Sequence, residues 1–205
     1  MLSNYAKQVY EWCDKNNVKL TGHYLEEQSL DWQMMCCGGI MPFYEYEHIP
    51  GVDKIGKQLA SPASAKQVGS VARQLGKKQV LSETFACAGH NVSHGELKRI
   101  FEWQMVHGVN LLCTHLEGYS LRGIRKRDYP PAMYYQQPWW SDMKVFFDAM
   151  SRVGMLLAEG EINVDTLLIH PQTTAWTLYN GYEFNTESAN KISEYNDSFL
   201  RDMRS

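Results

Sequence analysis

Glutamate residues close two β-prone runs of this chain, at positions where a parallel α/β protein places acid chemistry. Glu83 follows the run at residues 80–82, and Glu117 ends the next such run, which also carries His115. Ligands of parallel α/β folds bind at the carboxyl ends of the strands. His115 and Glu117 share one face because side chains alternate along a strand. The pattern predicts a polar site at the strand ends, with Glu83 as its main carboxylate.

An earlier β-prone run, residues 18–25, contains His23 and leads into Glu26 and Glu27. Neighbouring strand residues point to opposite faces, so only one of these two glutamates can face a site. Either could act as a general acid. His23 and His115 could hold hydroxyl groups of a substrate, although histidines in apolar strands are also common as hydrogen-bonded core residues.

Catalysis by a pair of carboxylates is the chemistry that the sequence supports best. Hydrolysis of a glycosidic bond uses two of them, one to protonate the leaving oxygen and one to attack or to activate water. The chain has no glycine-rich phosphate cradle and no G-x-S-x-G nucleophile motif, and we predict no cofactor. A metal site made from His23, His115 and a glutamate stays open, but no His-x-His or His-Glu-x-x-His spacing supports it, and no metal is predicted.

Composition narrows the classes of partner. The 205 residues carry a net charge of −3, which argues against nucleic-acid binding because that function needs a basic surplus. No apolar run approaches the ~20 residues that cross a bilayer. The first residues lack a signal-peptide core, and the five cysteines show no CxxC spacing, so a cytoplasmic location is favoured.

The order of predicted elements indicates an α/β fold. Amphipathic helices are predicted at residues 4–15, 63–75, 94–107, 141–158 and 187–203, and strands at residues 18–25, 40–46, 78–83, 109–117 and 164–171. Alternating strands and helices favour a parallel sheet. The loop at residues 119–140 contains Tyr119, Trp139 and other aromatic residues, which is typical of an ordered wall around a site and atypical of disorder.

Several segments taken together resemble one enzyme family. Residues 20–27, 43–53, 80–85, 108–120 and 122–131 are similar, in order and spacing, to the catalytic barrel of bacterial α-L-rhamnosidase-like glycoside hydrolases, relatives of the retaining β-galactosidase barrels. The resemblance spans about residues 5–175. It implies the C-terminal four βα units of a (β/α)₈ barrel at residues 1–160, followed by the start of another α/β domain at residues 161–205.

The resemblance also assigns roles. It implies that Glu83 is the seventh-strand carboxylate, a nucleophile or base. It puts the family's acid on a fourth strand that precedes this chain, which leaves Glu27 or Glu26 as the best acid within it, and we favour Glu27. The implied substrate is a glycoside or oligosaccharide. From the strand ends and the aromatic loop, we predict that six residues bind it: His23, Tyr44, His115, Glu117, Tyr119 and Trp139. The alternatives are a non-catalytic sugar-binding or assembly fragment, including a homo-oligomer that completes the barrel, and a metal-dependent barrel hydrolase.

Overall fold

The computed structural model describes residues 1–59, 61–181 and 187–204. In this part of the chain there are one sheet of four strands and eight α-helices. The strands are β1 (Thr21–Gly22), β2 (Ile49–Lys54), β3 (Leu81–Thr84) and β4 (Leu111–Thr114). The helices are α1 (Lys7–Lys15), α2 (Leu30–Cys36), α3 (Met41–Tyr44), α4 (Ala63–Gln74), α5 (His94–Val106), α6 (Met143–Glu159), α7 (Gln172–Leu178) and α8 (Glu187–Arg204).

The sheet is parallel throughout, and its strands follow one another in sequence order. Each connection therefore crosses back over the sheet, as α4 does between β2 and β3 and α5 does between β3 and β4. The prediction of an α/β chain with parallel strands is confirmed. Four sequential βα units are compatible with part of a (β/α)₈ barrel.

Local sequence signals explain the helices that pack on the sheet. Ser93 accepts a hydrogen bond from the Glu96 backbone while the Glu96 side chain accepts one from the Ser93 backbone, and this predicted capping box starts α5. Leu97, Ile100 and Phe101 of α5 are buried in the main core, together with residues of α4 and α6. The sheet's other face, which bears Glu83, is left more open.

Two predicted strands are wrong. The run at residues 40–46 contains α3 (Met41–Tyr44) instead, because Pro42 lies in the first turn, where proline's fixed φ suits a helix and its missing N–H costs nothing. The second strand is β2, which begins a few residues later. Residues 161–170 form no helix or strand, since no described strand pairs with them.

The C-terminal helices pack against the first part of the chain. Ile192 of α8 and Ala175 of α7 form a second core cluster with Leu30 and Met34 of α2. The Leu30 backbone N–H donates to the Asn196 side chain across this contact. A domain boundary near residue 160 stays a prediction, and the helices beyond it are joined to α2 by a buried contact. Among the described residues, no helix combines the length and apolar character that a membrane span requires.

Candidate functional site

Glu83 is held between two histidines at the carboxyl ends of the strands. Its Oε1 lies 2.7 Å from His115 Nδ1, and its Oε2 lies 3.1 Å from His23 Nε2. His115 follows β4, the neighbouring strand, whereas His23 follows β1, two strands away. About a third of the Glu83 side chain is exposed, so a ligand can reach a carboxylate whose orientation is already fixed.

The opposite face of β3 explains why Glu83 points to the open side. Ser82 and Thr84 are fully buried, and both hydrogen-bond the side-chain amide of Gln104 on α5. Because side chains alternate along a strand, anchoring these two residues to α5 turns Glu83 away from the helices. The sequence therefore sets the direction of Glu83 through its two polar neighbours.

The hydrogen bonds of His115 fix the orientation of its ring. His115 Nε2 is 2.8 Å from the Tyr129 carbonyl oxygen, which only accepts, so Nε2 is the donor of that bond. Nδ1 faces Glu83 Oε1 on the other side of the ring. His115 therefore connects Glu83 to the backbone of the loop after β4.

Asp53 is a second carboxylate at the site, and the sequence analysis missed it. It pairs in register with Glu83 on the adjacent strand, and Glu83 pairs in turn with Cys113 of β4. In-register neighbours of a parallel sheet point to the same face, so Asp53 lies beside Glu83. Its Oδ1 is buried and has no hydrogen-bond partner in the described part of the chain. The available signal was the constant interval between positions 53, 83 and 113, which suggests successive βα units.

Glu27 lies behind this surface and joins the ends of two strands. Only 3% of it is exposed, and it accepts hydrogen bonds from the backbone N–H groups of Tyr24 and Asp53, at 2.9 and 3.0 Å. The Tyr44 hydroxyl also donates to it, at 3.3 Å, and Tyr44 is fully buried. Glu27 and Tyr44 are thus placed to fix β1 and β2 relative to each other, and neither lies on the open surface.

The environments of the three acids shift their pKa values in different directions. Burial tends to raise the pKa of Glu83, but hydrogen bonds and charge from His115 and His23 outweigh it, and the net pKa is lowered. Burial raises the pKa of Asp53, and the Glu83 charge adds to that rise against the opposing effect of His23. Burial also raises the pKa of Glu27 to about 7 against its backbone hydrogen bonds. The pKa of His23 is raised because Asp53, Glu27 and Glu83 outweigh its burial.

Unusual backbone conformations concentrate at the same edge of the sheet. Among the described non-glycine residues, six have positive φ, and five of them lie in the loops beyond the carboxyl ends of the strands: Glu26, Phe85, Cys87, Leu116 and Tyr129. Phe85, at φ 79°, directly follows β3 and is fully buried. A bulky residue rarely adopts this conformation, and such strain clusters at functional sites.

The remaining predicted residues lie along the loop after β4. Glu117 is exposed and its backbone forms an isolated bridge with Met133, while Tyr119 is 98% exposed. Trp139 is partly buried, and its indole N–H donates to the Val92 carbonyl oxygen at 2.9 Å. No described contact joins these three residues to Glu83. The structure therefore brings together Glu83, His23 and His115 and leaves the roles of the loop residues as predictions.

A metal centre and a cavity at the other end of the sheet are the alternatives to a site at Glu83. No group of three or more histidine, cysteine, aspartate or glutamate side chains in the described ranges has an arrangement that could hold a metal ion. A cavity of about 790 Å³ lies at the amino ends of the strands, bordered by residues such as Lys19, Asn110 and Met150. That end of a βα sheet contributes mainly to stability, so we place the site at Glu83. Comparison of the chain with protein-family models, with curated proteins and with solved structures finds no match.

Proposed function

We propose that this chain contributes a catalytic carboxylate, Glu83, to the hydrolysis of glycosidic bonds on a (β/α)₈-type barrel. The observation that carries the proposal is the fixed position of Glu83 between His23 and His115 at the open carboxyl edge of parallel strands. A lowered pKa keeps Glu83 ionised near neutral pH, as a nucleophile or a general base must be. The resemblance to α-L-rhamnosidase-like barrels points to the same residue.

The two histidines suit this chemistry. A glycosidase carboxylate must stay aligned with the anomeric carbon, and hydrogen bonds to both of its oxygens limit its rotation. The exposed aromatic ring of Tyr119, in the loop beyond β4, provides a flat apolar surface of the kind that stacks on sugar rings.

The test is a panel of 4-nitrophenyl glycosides that begins with the α-L-rhamnoside, assayed with and without EDTA. We expect release of nitrophenol from at least one glycoside. Absence of turnover on every glycoside would reject the proposal. Turnover that EDTA removes and one added divalent cation restores would favour the metal-dependent alternative.

One observation favours a second candidate, an assembly or sugar-binding role without catalysis. β1 and β4 each pair with only one strand in the described residues, so both edges of the sheet remain open. Open parallel edges favour pairing with further strands. Multi-angle light scattering measures this directly: a concentration-dependent dimer supports the candidate, and a stable monomer with glycosidase activity rejects it.

A further inference from the structure

We propose that Asp53 is the acid partner of Glu83, so that this chain holds both carboxylates of a retaining glycosidase site. The inference rests on the proposed function and adds to it a residue that sequence patterns did not identify. Its basis is the register of β2 and β3, which places Asp53 directly beside Glu83 on one face of the sheet.

The spacing of the strands fits the chemistry. Neighbouring strands lie about 4.8 Å apart, and carboxyl groups in register on one face are separated by a similar distance. Retaining glycosidases hold their two carboxyl groups ~5–5.5 Å apart, whereas inverting enzymes need ~6.5–9.5 Å to admit a water molecule. The pairing of Asp53 with Glu83 therefore predicts retention of anomeric configuration.

The surroundings of Asp53 are those of a proton donor. A structural aspartate of this burial is normally satisfied by hydrogen bonds, but Asp53 Oδ1 is buried without a partner among the described residues. The charge of Lys54 interacts with Asp53, but the hydrogen bonds of Lys54 Nζ go to the carbonyl oxygens of Ile55 and Gly56. Asp53 thus keeps one oxygen that no described protein group satisfies. Burial raises the pKa of Asp53, whereas His115 and His23 lower the pKa of Glu83. Opposite shifts of this kind are typical of the acid and the nucleophile of a glycosidase.

Glu27 is placed to hold Asp53 in position. Its Oε2 accepts the Asp53 backbone N–H at 3.0 Å, and its Oε1 accepts the N–H of Tyr24, the residue after His23. One buried carboxylate thereby fixes the strand ends that present Asp53 and His23. Glu27 acts here as a positioning residue that touches neither the sugar nor the reacting atoms.

The reaction proceeds in two balanced steps. A Glu83 oxygen bonds to the anomeric carbon as the bond between that carbon and the leaving oxygen breaks. The leaving oxygen takes the Asp53 proton. Water then gives a proton to the Asp53 carboxylate and bonds to the anomeric carbon, which releases Glu83 as a carboxylate. One water is consumed, one sugar and one alcohol are released, and both carboxyl groups return to their starting states.

The test compares the wild type with Asp53→Asn on two substrates, phenyl and 2,4-dinitrophenyl α-L-rhamnoside. Asp165→Asn is the matched control, because Asp165 is exposed. Dinitrophenolate leaves without a proton, so we expect Asp53→Asn to lower kcat/KM at least 100-fold on the phenyl substrate and less than about 10-fold on the dinitrophenyl substrate. Added azide should restore turnover of Asp53→Asn by forming a glycosyl azide with the substrate's anomeric configuration. The melting temperature of each variant checks its fold.

Three outcomes would overturn the role of Asp53: equal losses on both substrates, no effect of azide, or rates equal to the wild type. A wild type that hydrolyses neither rhamnoside nor any other aryl glycoside would instead reject the proposed function. A readout independent of turnover is the carbon NMR titration of the two carboxyl groups in the full chain. We expect Asp53 to remain protonated at pH values where Glu83 is ionised, and the reverse order would also overturn the assignment.

Discussion

Glu27, which connects the ends of β1 and β2, makes the stability of the chain depend on pH. Its pKa is raised from 4.5 to about 7, so between these values the folded chain keeps a proton that the unfolded chain releases. The contribution of Glu27 to the free energy of unfolding is therefore greatest below its pKa in the unfolded chain. It falls by about 3 kcal/mol as the pH rises through its pKa in the folded chain. We expect Glu27→Gln to remove that contribution to the pH dependence, as measured by urea unfolding at pH 4.5 to 8.

Glu27→Gln should also be less stable at low pH by about 1–3 kcal/mol, because its amide NH₂ would face a backbone N–H donor. Glu161→Gln is the matched control, since Glu161 is exposed, and it should keep the wild-type pH dependence. Identical pH dependence of stability in Glu27→Gln and the wild type would contradict this contribution of Glu27.

Sequence reasoning identified part of the site and missed part of it. Glu83, His23 and His115 were predicted because acids and histidines follow β-prone runs, and the structure brings them together. Asp53 was missed because strand propensity placed the second strand at residues 40–46, where Pro42 starts a helix instead. The burial of Tyr44 depends on contacts between distant segments, which local patterns do not report.

The elements around the sheet were mostly predictable, but their closest contacts were not. Capping and periodicity predicted α5 and α6, whereas the approach of α6 to β4 depends on one glycine. A Cβ on Gly154 would lie 2.3 Å from the Asn110 carbonyl oxygen, an impossible contact without movement of the helix. The apolar run at residues 164–171 has the pattern of a strand, but no described strand pairs with it. A local sequence pattern does not report whether a partner strand is present.

Substitution of Gly154 tests this packing. Alanine normally stabilises a helix interior relative to glycine by ~1 kcal/mol, yet we expect Gly154→Ala to lower the free energy of unfolding by about 1–2 kcal/mol through overpacking. Gly95→Ala in α5 is the control, because its Cβ would meet no heavy atom closer than 3.9 Å. It should be neutral or slightly stabilising. Gain of stability in Gly154→Ala, measured by urea unfolding, would disprove the close approach.

The whole chain is expected to unfold as one cooperative unit. α8 buries Ile192, which is 1% exposed, in a cluster with α2 and α7. We expect Ile192→Ala to lower the free energy of unfolding by about 2–4 kcal/mol while a single transition is kept. Val106→Ala, at a position that is 79% exposed, should change it by less than about 0.5 kcal/mol. A separate early transition for α8, seen by calorimetry, would show that the C-terminal helices are independent.

Hydrolysis by Glu83→Gln is the most direct measurement of the role proposed for this molecule. The substitution keeps the size of the side chain and removes the negative charge that faces His23 and His115. On the best 4-nitrophenyl glycoside, we predict a loss of kcat/KM of at least about 1,000-fold. Glu161→Gln should match the wild type, and the melting temperature of Glu83→Gln should show that it remains folded. A folded Glu83→Gln that retains activity within about twofold of the wild type would contradict the assignment of Glu83 as the reacting carboxylate.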